Sequence, residues 1–306
     1  MLRRQFVFLM TVDNLSKSFK DIKAVNDLSF KVKKGEFFAF LGVNGAGKST
    51  TISIMCGQLA KDSGSVTVNG KNIEDGMNEI RKEIGVVFQS SLLDTPLTVR
   101  DNLEMRAALY DITGRGFEQR LNELAELLDF KDLLKRTYGK LSGGQKRKID
   151  VARALFHHPS ILILDEPTTG LDPQTRKIIW KVISDLRQKE GITVFLTTHY
   201  MEEVADADYV VILDSGKIVA QGTPLELKNR YTGDFITIYN TSEEEIKRLG
   251  KPYRQIRDAY RIAVKDTCEA KALIVRFPEI FEDFEITKGK MDDVFLAATG
   301  KNPEAV

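Results

Sequence analysis

The segment Gly42-Val43-Asn44-Gly45-Ala46-Gly47-Lys48-Ser49 constrains this 306-residue chain more than any other. It has the form G-x-x-x-x-G-K-[ST], a backbone cradle for phosphate. Its flanks supply the context such a cradle needs. Glu36–Leu41 (EFFAFL) is a short apolar run that reads as a strand, and Lys48–Leu59 reads as a helix with Ile52, Met55 and Leu59 on one face. Strand, glycine loop and helix N-terminus in that order aim successive N–H groups and the positive end of a helix dipole at an anion. Gly42, Gly45 and Gly47 permit close backbone approach and positive φ, with Asn44, Ala46 and Thr50 completing the loop's contact surface. Lys48 places a cation on the β- and γ-phosphates of a nucleotide, and the Ser49 hydroxyl can ligate Mg²⁺.

Two further segments bear on the same chemistry. Ile161-Leu162-Ile163-Leu164 is an unbroken apolar run, read as a fully buried strand, and it delivers Asp165 and Glu166 at its C-terminal end. In α/β sheets, carboxylates at that end of a strand lie where ligands bind; the rival reading is an acidic turn after a core strand. Leu141-Ser142-Gly143-Gly144-Gln145 precedes a helix, with Ser142 placed to cap it and two glycines that let amides approach an anion. It reads as a second phosphate-binding helix terminus, against the plainer reading of a capped helix that happens to carry glycines.

The phosphate loop, followed about a hundred residues later by Leu-Ser-Gly-Gly-Gln, resembles the ATP-binding cassette ATPases. The likeness covers about residues 11–225 with the family's motifs in order. It implies a P-loop NTPase core of α/β class, in which a mostly parallel sheet is accompanied by N-terminal antiparallel strands and a helical signature subdomain. It implies that ATP and Mg²⁺ bind, that Asp165 reaches the metal through water, and that Glu166 polarises the attacking water. It also implies that Ser142–Gln145 of one subunit complete the phosphate loop of another, head to tail. By the same resemblance Gln89 contacts Mg²⁺ or water and senses a membrane partner, and His199, in Thr197-Thr198-His199, bonds the γ-phosphate. Phe19 stacks on adenine, and Gly170-Leu171-Asp172-Pro173 crosses the dimer interface. Taken singly, Gln89 is equally a surface residue, His199 a structural one and Phe19 a core one. Val43 stands where the family often has proline, and Lys148 where arginine is common.

Along the chain, Thr11–Val12 and Leu28–Val32 read as strands about a polar turn at Lys20–Lys23, and Ser65–Asn69 and Ile84–Phe88 as further strands. Residues 90–158 read as a helical insert. Its segments are a start at the capping-box-like Thr98-x-x-Asp101, a helix over Glu118–Leu128, and another over Ser142–Phe156. Asp172-Pro173 starts a helix running to about Glu190; Ile192–Leu196 is a buried strand; Tyr209–Leu213 and Lys217–Gln221 flank a turn. The expected domains are an ATPase domain over 11–230 and a small accessory α+β domain over 231–306, built from strands at Phe235–Tyr239 and Tyr260–Val264 and helices at Ser242–Leu249 and Met291–Ala298.

Net charge is +1, which removes the basic surface expected of a nucleic-acid binder. Two distant cysteines, Cys56 and Cys268, suit a reducing cytosol. No apolar run reaches the ~18 residues of a membrane span. The start, Met1 to Met10, imitates a signal peptide, but its apolar part, Phe6–Met10, is short; it reads as a leader ahead of the fold, with Met10 as an alternative start. A single cassette without a span resembles a separate ATP-binding subunit at the cytoplasmic face of the membrane. Such a subunit pairs with a second nucleotide-binding subunit, as a homodimer, and drives a permease encoded elsewhere. The closing segment Met291–Gly300 (MDDVFLAATG) resembles that of bacterial drug- and antibiotic-resistance exporter ATPases, although capping at Thr299-Gly300 and burial of Val294 and Phe295 account for the same residues. The alternative is a soluble cassette ATPase working on ribosomes or DNA. Its translation-factor form usually carries two cassettes per chain, and its chromosome form inserts a long coiled coil where only about ninety residues without heptads stand here.

Overall fold

The computed structural model describes residues 8–300, which fall into two compact units: 8–199 with 213–218, and 200–212 with 219–300. The first unit opens with β1 (Phe8–Phe19) and β2 (Ile22–Lys33), an antiparallel pair in which Val12 faces Phe30 and Leu15 faces Leu28. The strand reaches back beyond Thr11, and Leu9 and Met10 are buried in it. The end of the leader-like run is therefore sheet; residues 1–7 of it lie outside the described residues. β3 (Phe37–Leu41) is buried throughout and leads into the phosphate loop and α1 (Lys48–Met55). That helix is shorter than its apolar pattern suggests, because Gly57 takes a left-handed φ of 66° just after the Cys56 cap and stops it. β4 (Ser63–Val68) and the short β5 (Lys71–Asn72) extend the antiparallel sheet in the order β2-β1-β4-β5, and α2 (Ile73–Glu83) leads to β6 (Ile84–Val87).

The helical insert holds α3 (Val99–Ala108), α4 (Gly114–Leu127) and α5 (Gly143–Leu155). Thr98 and Asp101 form a full capping box on α3, with Asp in the role usually taken by Glu or Gln. The chain then alternates through β7 (Ile161–Asp165), α6 (Pro173–Glu190) and β8 (Thr193–Thr198). β3, β8, β7 and β6 run parallel in that order. Phe30 of the antiparallel sheet meets Phe38, Phe40 and Phe195 of the parallel one at centroid distances of 5.4, 4.8 and 6.0 Å, so the two sheets share one aromatic core.

β6 is the end strand of its sheet, and side chains of α5 and its continuation cover its outer edge. Arg147 donates to the carbonyl of Phe88 (2.7 Å), Arg153 to that of Val86, and His157 Nε2 to that of Ile84 (3.1 Å). Helix and strand keep step: Arg147 to His157 advances roughly 15 Å at the helical rise, and Phe88 back to Ile84 roughly 13 Å at the strand rise. His157 also stacks on Tyr110, centroids 4.0 Å apart. Burial, with the Arg153 charge beside it, outweighs the Ile84 bond and pulls the imidazole down to about 4 from 6.5. A base whose folded pKa is depressed stays neutral in the fold while the unfolded chain takes up a proton, so stability is lost as pH falls from 6.5 toward 4. Between pH 7 and pH 5 the expected loss is roughly 1–2 kcal/mol. Urea midpoints of the native chain and His157→Gln at both pH values measure it, and an equal pH response in the two would contradict it.

β9 (Tyr209–Asp214) and β10 (Lys217–Gly222) carry the boundary between the units, their joining turn belonging with the first. The second unit continues through α7 (Pro224–Tyr231) into β11 (Asp234–Tyr239), α8 (Glu243–Arg248), β12 (Tyr253–Ile256), β13 (Ala259–Val264), α9 (Thr267–Arg276) and β14 (Phe284–Lys288). This is a β-α-β-β-α-β run whose antiparallel sheet has the order β12-β13-β11-β14, the ferredoxin-like pattern. Ile236, Ile238 and Ile262 of the sheet pack with Ile246 of α8 and Leu273 of α9 in its core. α10 (Met291–Thr299) lies against α7 and the turn Met201–Val204, burying Val294 and Phe295, and Gly300 closes it at a φ of 66°. Both structural accounts of the closing segment therefore hold.

Candidate ATP site

The parallel sheet brings the predicted residues to one edge. Gly42 follows β3, Gln89 follows β6, Asp165 and Glu166 end and follow β7, and His199 follows β8. All four are C-terminal strand ends, where an open α/β sheet forms its ligand crevice.

Sterics select the loop's glycines. Gly47 has a φ of 99°, and a Cβ there would stand 2.3 Å from the Ala24 carbonyl oxygen; at Gly42 it would meet the Leu213 oxygen at 2.8 Å. Gly47 is also the N-cap of α1, which has no side-chain cap and no acidic residue in its first turn. The capping boxes of α3, α5, α7 and α8 make a contrast. An uncapped, glycine-lined helix terminus beside a buried lysine fits a polyphosphate. Asn44, Gly45 and Ser49 are exposed, Thr50 is half-buried and Ala46 is buried. Lys48, only 4% exposed, donates to the carbonyls of Gly42 (2.7 Å) and Val43 (3.2 Å) and pairs with Glu166 at 3.3 Å.

Ser49 Oγ donates to Asp165 Oδ1 at 3.3 Å, and Thr197 Oγ1 donates to the same oxygen at 2.6 Å. A hydroxyl and a carboxylate side by side are hard-oxygen donors that fit Mg²⁺. Among the described residues no cluster of three or more His, Cys, Asp or Glu side chains is placed to hold a metal ion. Glu166 is 7% exposed and sits at a φ of 47°, a left-handed conformation that costs a non-glycine residue about 1 kcal/mol or more. Its N–H donates to the Thr197 carbonyl at 3.0 Å, which holds it there. Its carboxylate faces Lys48 through Oε1 and His199 Nδ1 through Oε2, both at 3.3 Å. Strain and a buried cation thus converge on one carboxylate.

Phe19 ends β1 at 48% exposure with the Lys17 ammonium 5.7 Å from its ring centroid, so it is a surface ring and not a core one. Gln89 has an exposed side chain, and its carbonyl accepts from Arg147 at 3.3 Å. Ser142 and Gln145 form a capping box on α5, so each is occupied by the other. Gly144 lies under Thr175 of α6, where a Cβ would come within 2.7 Å, whereas the nearest atom to a Cβ at Gly143 is Leu171 Cδ2 at 4.0 Å. The first glycine is left open and the second is required by packing. Asp172 caps α6 through Thr175 (2.9 Å), and those hydrogen bonds lower its carboxyl pKa.

Sequence reasoning missed Thr197 as a support of Asp165. It also missed the buried polar residues of α5, Arg147 and Asp150, together with Tyr138. A threonine at the end of a buried strand looks like any β-former; what marks it is its place in the register opposite Asp165.

Comparison with known proteins identifies the family. The ABC transporter family profile matches residues 25–169. The Nod factor export ATP-binding protein I of Rhizobium etli is 34% identical over 98% of this chain and 96% of its own. The daunorubicin resistance ATP-binding protein DrrA2 of Streptomyces coeruleorubidus is 34% identical over 97% of each chain. An ATP-binding cassette solved as a dimer in a post-hydrolysis state with ADP and Pi superposes with a TM-score of 0.65 at 26% identity, over 70% of this chain and 98% of its own. The chain belongs to the ABC transporter family, as one of its ATP-binding, ATP-hydrolysing proteins.

Proposed function

We propose that this ATPase is the motor of an exporter, with residues 11–230 as the ATPase domain, 90–158 as its helical subdomain and 231–306 as an accessory domain. The observation that carries the reading is the buried carboxylate of Glu166, held between Lys48 and His199 at the carboxyl edge of the sheet. Phe19 stacks on adenine, and the loop Gly42–Thr50 receives the phosphates, with Lys48 on the β and γ groups. Ser49, Asp165 and Gln89 hold Mg²⁺, which when bound neutralises charge on the phosphates. Glu166 takes the proton of the attacking water as general base, and His199 bonds the γ-phosphate. Ser142, Gly143, Gly144 and Gln145 close on the phosphates of a second copy, consistent with the open space beside Gly143, where the nearest atom to a Cβ is Leu171 Cδ2 at 4.0 Å. Two ATPs then lie between two head-to-tail subunits, and the binding energy drives closure.

Work passes to a separate membrane permease. Among the described residues no helix is long and apolar enough to cross a membrane, which suits a subunit seated at the cytoplasmic face. Closure moves the helical subdomain and, through residues around Gln89–Asp101, the permease; Phe88 and Arg106, on either side of that segment, line a cleft of about 310 Å³ with Met77, Leu109, Tyr110 and His157 among others. The exported compound is a drug, antibiotic, lipid or similar molecule; of the relatives, one is named for Nod factor export and another for daunorubicin resistance. The test is to trap tagged Glu166→Gln protein with Mg-ATP in detergent-solubilised native membranes and identify what co-purifies. A multi-span membrane protein is expected; ribosomal particles or DNA-bound factors alone would replace the transporter with a soluble switch.

A further inference from the structure

Two buried side chains and the hydroxyl of the exposed Ser91 join the loop after Gln89 to the helix that carries the signature residues. Ser91 Oγ donates to Asp150 Oδ1 at 2.7 Å, Tyr138 OH donates to Ser91 Oγ at 2.7 Å, and the same hydroxyl lies 3.3 Å from Asp150 Oδ2. Asp150 is 4% exposed and Tyr138 1%. Ser91 stands two residues after Gln89, Asp150 lies on the inner face of α5, and Tyr138 stands four residues before Ser142, the cap of that helix. One triangle of side chains, buried at Asp150 and Tyr138, therefore touches all three segments. Just beside it Arg147, also of α5, holds the carbonyls of Phe88 and Gln89.

A buried carboxylate that accepts from Ser91, whose hydroxyl in turn accepts from Tyr138, is costly to leave unpaired. The triangle thus ties the Gln89 loop and the approach to Ser142 to α5.

We infer that Ser91, Asp150 and Tyr138 are positioning residues for ATP-driven closure: they set the orientation of Ser142–Gln145 by the position of the Gln89 loop. The inference rests on the two-subunit reading above and deepens it. None of the three touches nucleotide. Their loss leaves the first ATP contact, at the phosphate loop of a single chain, unchanged, and weakens the step in which a second chain's signature residues close.

The test uses Ser91→Ala, Tyr138→Phe and Asp150→Asn in the full chain, each also combined with Glu166→Gln. ATP affinity of the monomeric state, measured by calorimetry below the dimerisation concentration, is expected to stay within about twofold. kcat is expected to fall about tenfold in Ser91→Ala, the size associated with a lost hydrogen bond to a charged group. In the Glu166→Gln background the ATP-trapped dimer should dissociate faster by a similar factor. Asp150→Asn keeps an acceptor for Ser91 and should retain most of the native kcat. Ser91→Ala with Tyr138→Phe should cost less than the product of the single effects, because they break one triangle. A purely structural role predicts something else: a lower denaturation midpoint, with kcat and trapped dimer unaltered well below it. That result, or a fall in monomer affinity equal to the fall in kcat, overturns the inference. If the Glu166→Gln parent itself forms no ATP-trapped dimer, the two-subunit reading fails first. If the parent dimerises and Ser91→Ala dimerises equally well, only the positioning role fails.

Discussion

Glu166→Gln is expected to bind Mg-ATP within a few-fold of the native chain, to lose roughly 10²–10⁴ in kcat, and to accumulate as a nucleotide-loaded dimer. The geometry separates these effects. Glutamine has the shape of glutamate, so the left-handed backbone at this position costs the same, and the N–H bond to the Thr197 carbonyl does not involve the side chain. Lys48 keeps the carbonyls of Gly42 and Val43 when Glu166 loses its charge. What disappears is the one carboxylate, 7% exposed, that stands between Lys48 and His199 where an attacking water is to be activated. Single-turnover hydrolysis reads the chemical step, and nucleotide retained after gel filtration reads the trapped dimer. Turnover near the native rate would remove Glu166 from the base role and direct attention to His199.

Those site residues were legible because the chemistry permits few substitutes. A phosphate loop needs glycines at fixed offsets, and at Gly47 the structure supplies both reasons, a φ of 99° and the Ala24 carbonyl at 2.3 Å from a Cβ. Asp165 and Glu166 stood out because an unbroken apolar strand has to end in something, and two carboxylates there are conspicuous. The buried charges of α5 were not legible. Arg147, Asp150 and Arg153 recur every three residues, the mark of a solvated helix face, and their partners are backbone carbonyls and a serine hydroxyl far away in sequence. A signal did exist: Ile149, Val151, Ala152, Ala154 and Leu155 surround these charges, which leaves α5 without a polar face wide enough for water. In the second unit, β12, α9 and β14 were missed for the opposite reason. β12 is mostly exposed, β14 reads Phe-Glu-Ile-Thr-Lys with four of five residues exposed, and α9 buries only Ala270 and Leu273. Edge elements of a small sheet carry too little apolar surface for periodicity to register, so the ferredoxin-like order emerges only from pairing.

Lys48→Ala is expected to weaken Mg-ATP binding roughly a hundredfold, about 2–4 kcal/mol, the range for truncating one partner of a desolvated charge pair. The same change has a second consequence. Lys48 and Glu166 are 4% and 8% exposed in their side chains and 3.3 Å apart, so removing the ammonium leaves a buried carboxylate with His199 as its remaining neighbour of that pair of contacts. An uncompensated buried charge typically destabilises a fold by ~3–5 kcal/mol, and His199 offsets part of that. A loss of binding in Lys48→Ala alone would therefore mix a missing phosphate ligand with a disturbed site. The double variant Lys48→Ala/Glu166→Gln separates the two, because it removes the carboxylate's charge along with its partner. Its urea midpoint should return toward that of Glu166→Gln while its ATP affinity stays low. If instead the double variant binds Mg-ATP as tightly as Glu166→Gln, the lysine serves to hold Glu166 in the nucleotide-free chain, and the phosphate charge is met by the backbone amides of the loop and the N-terminus of α1.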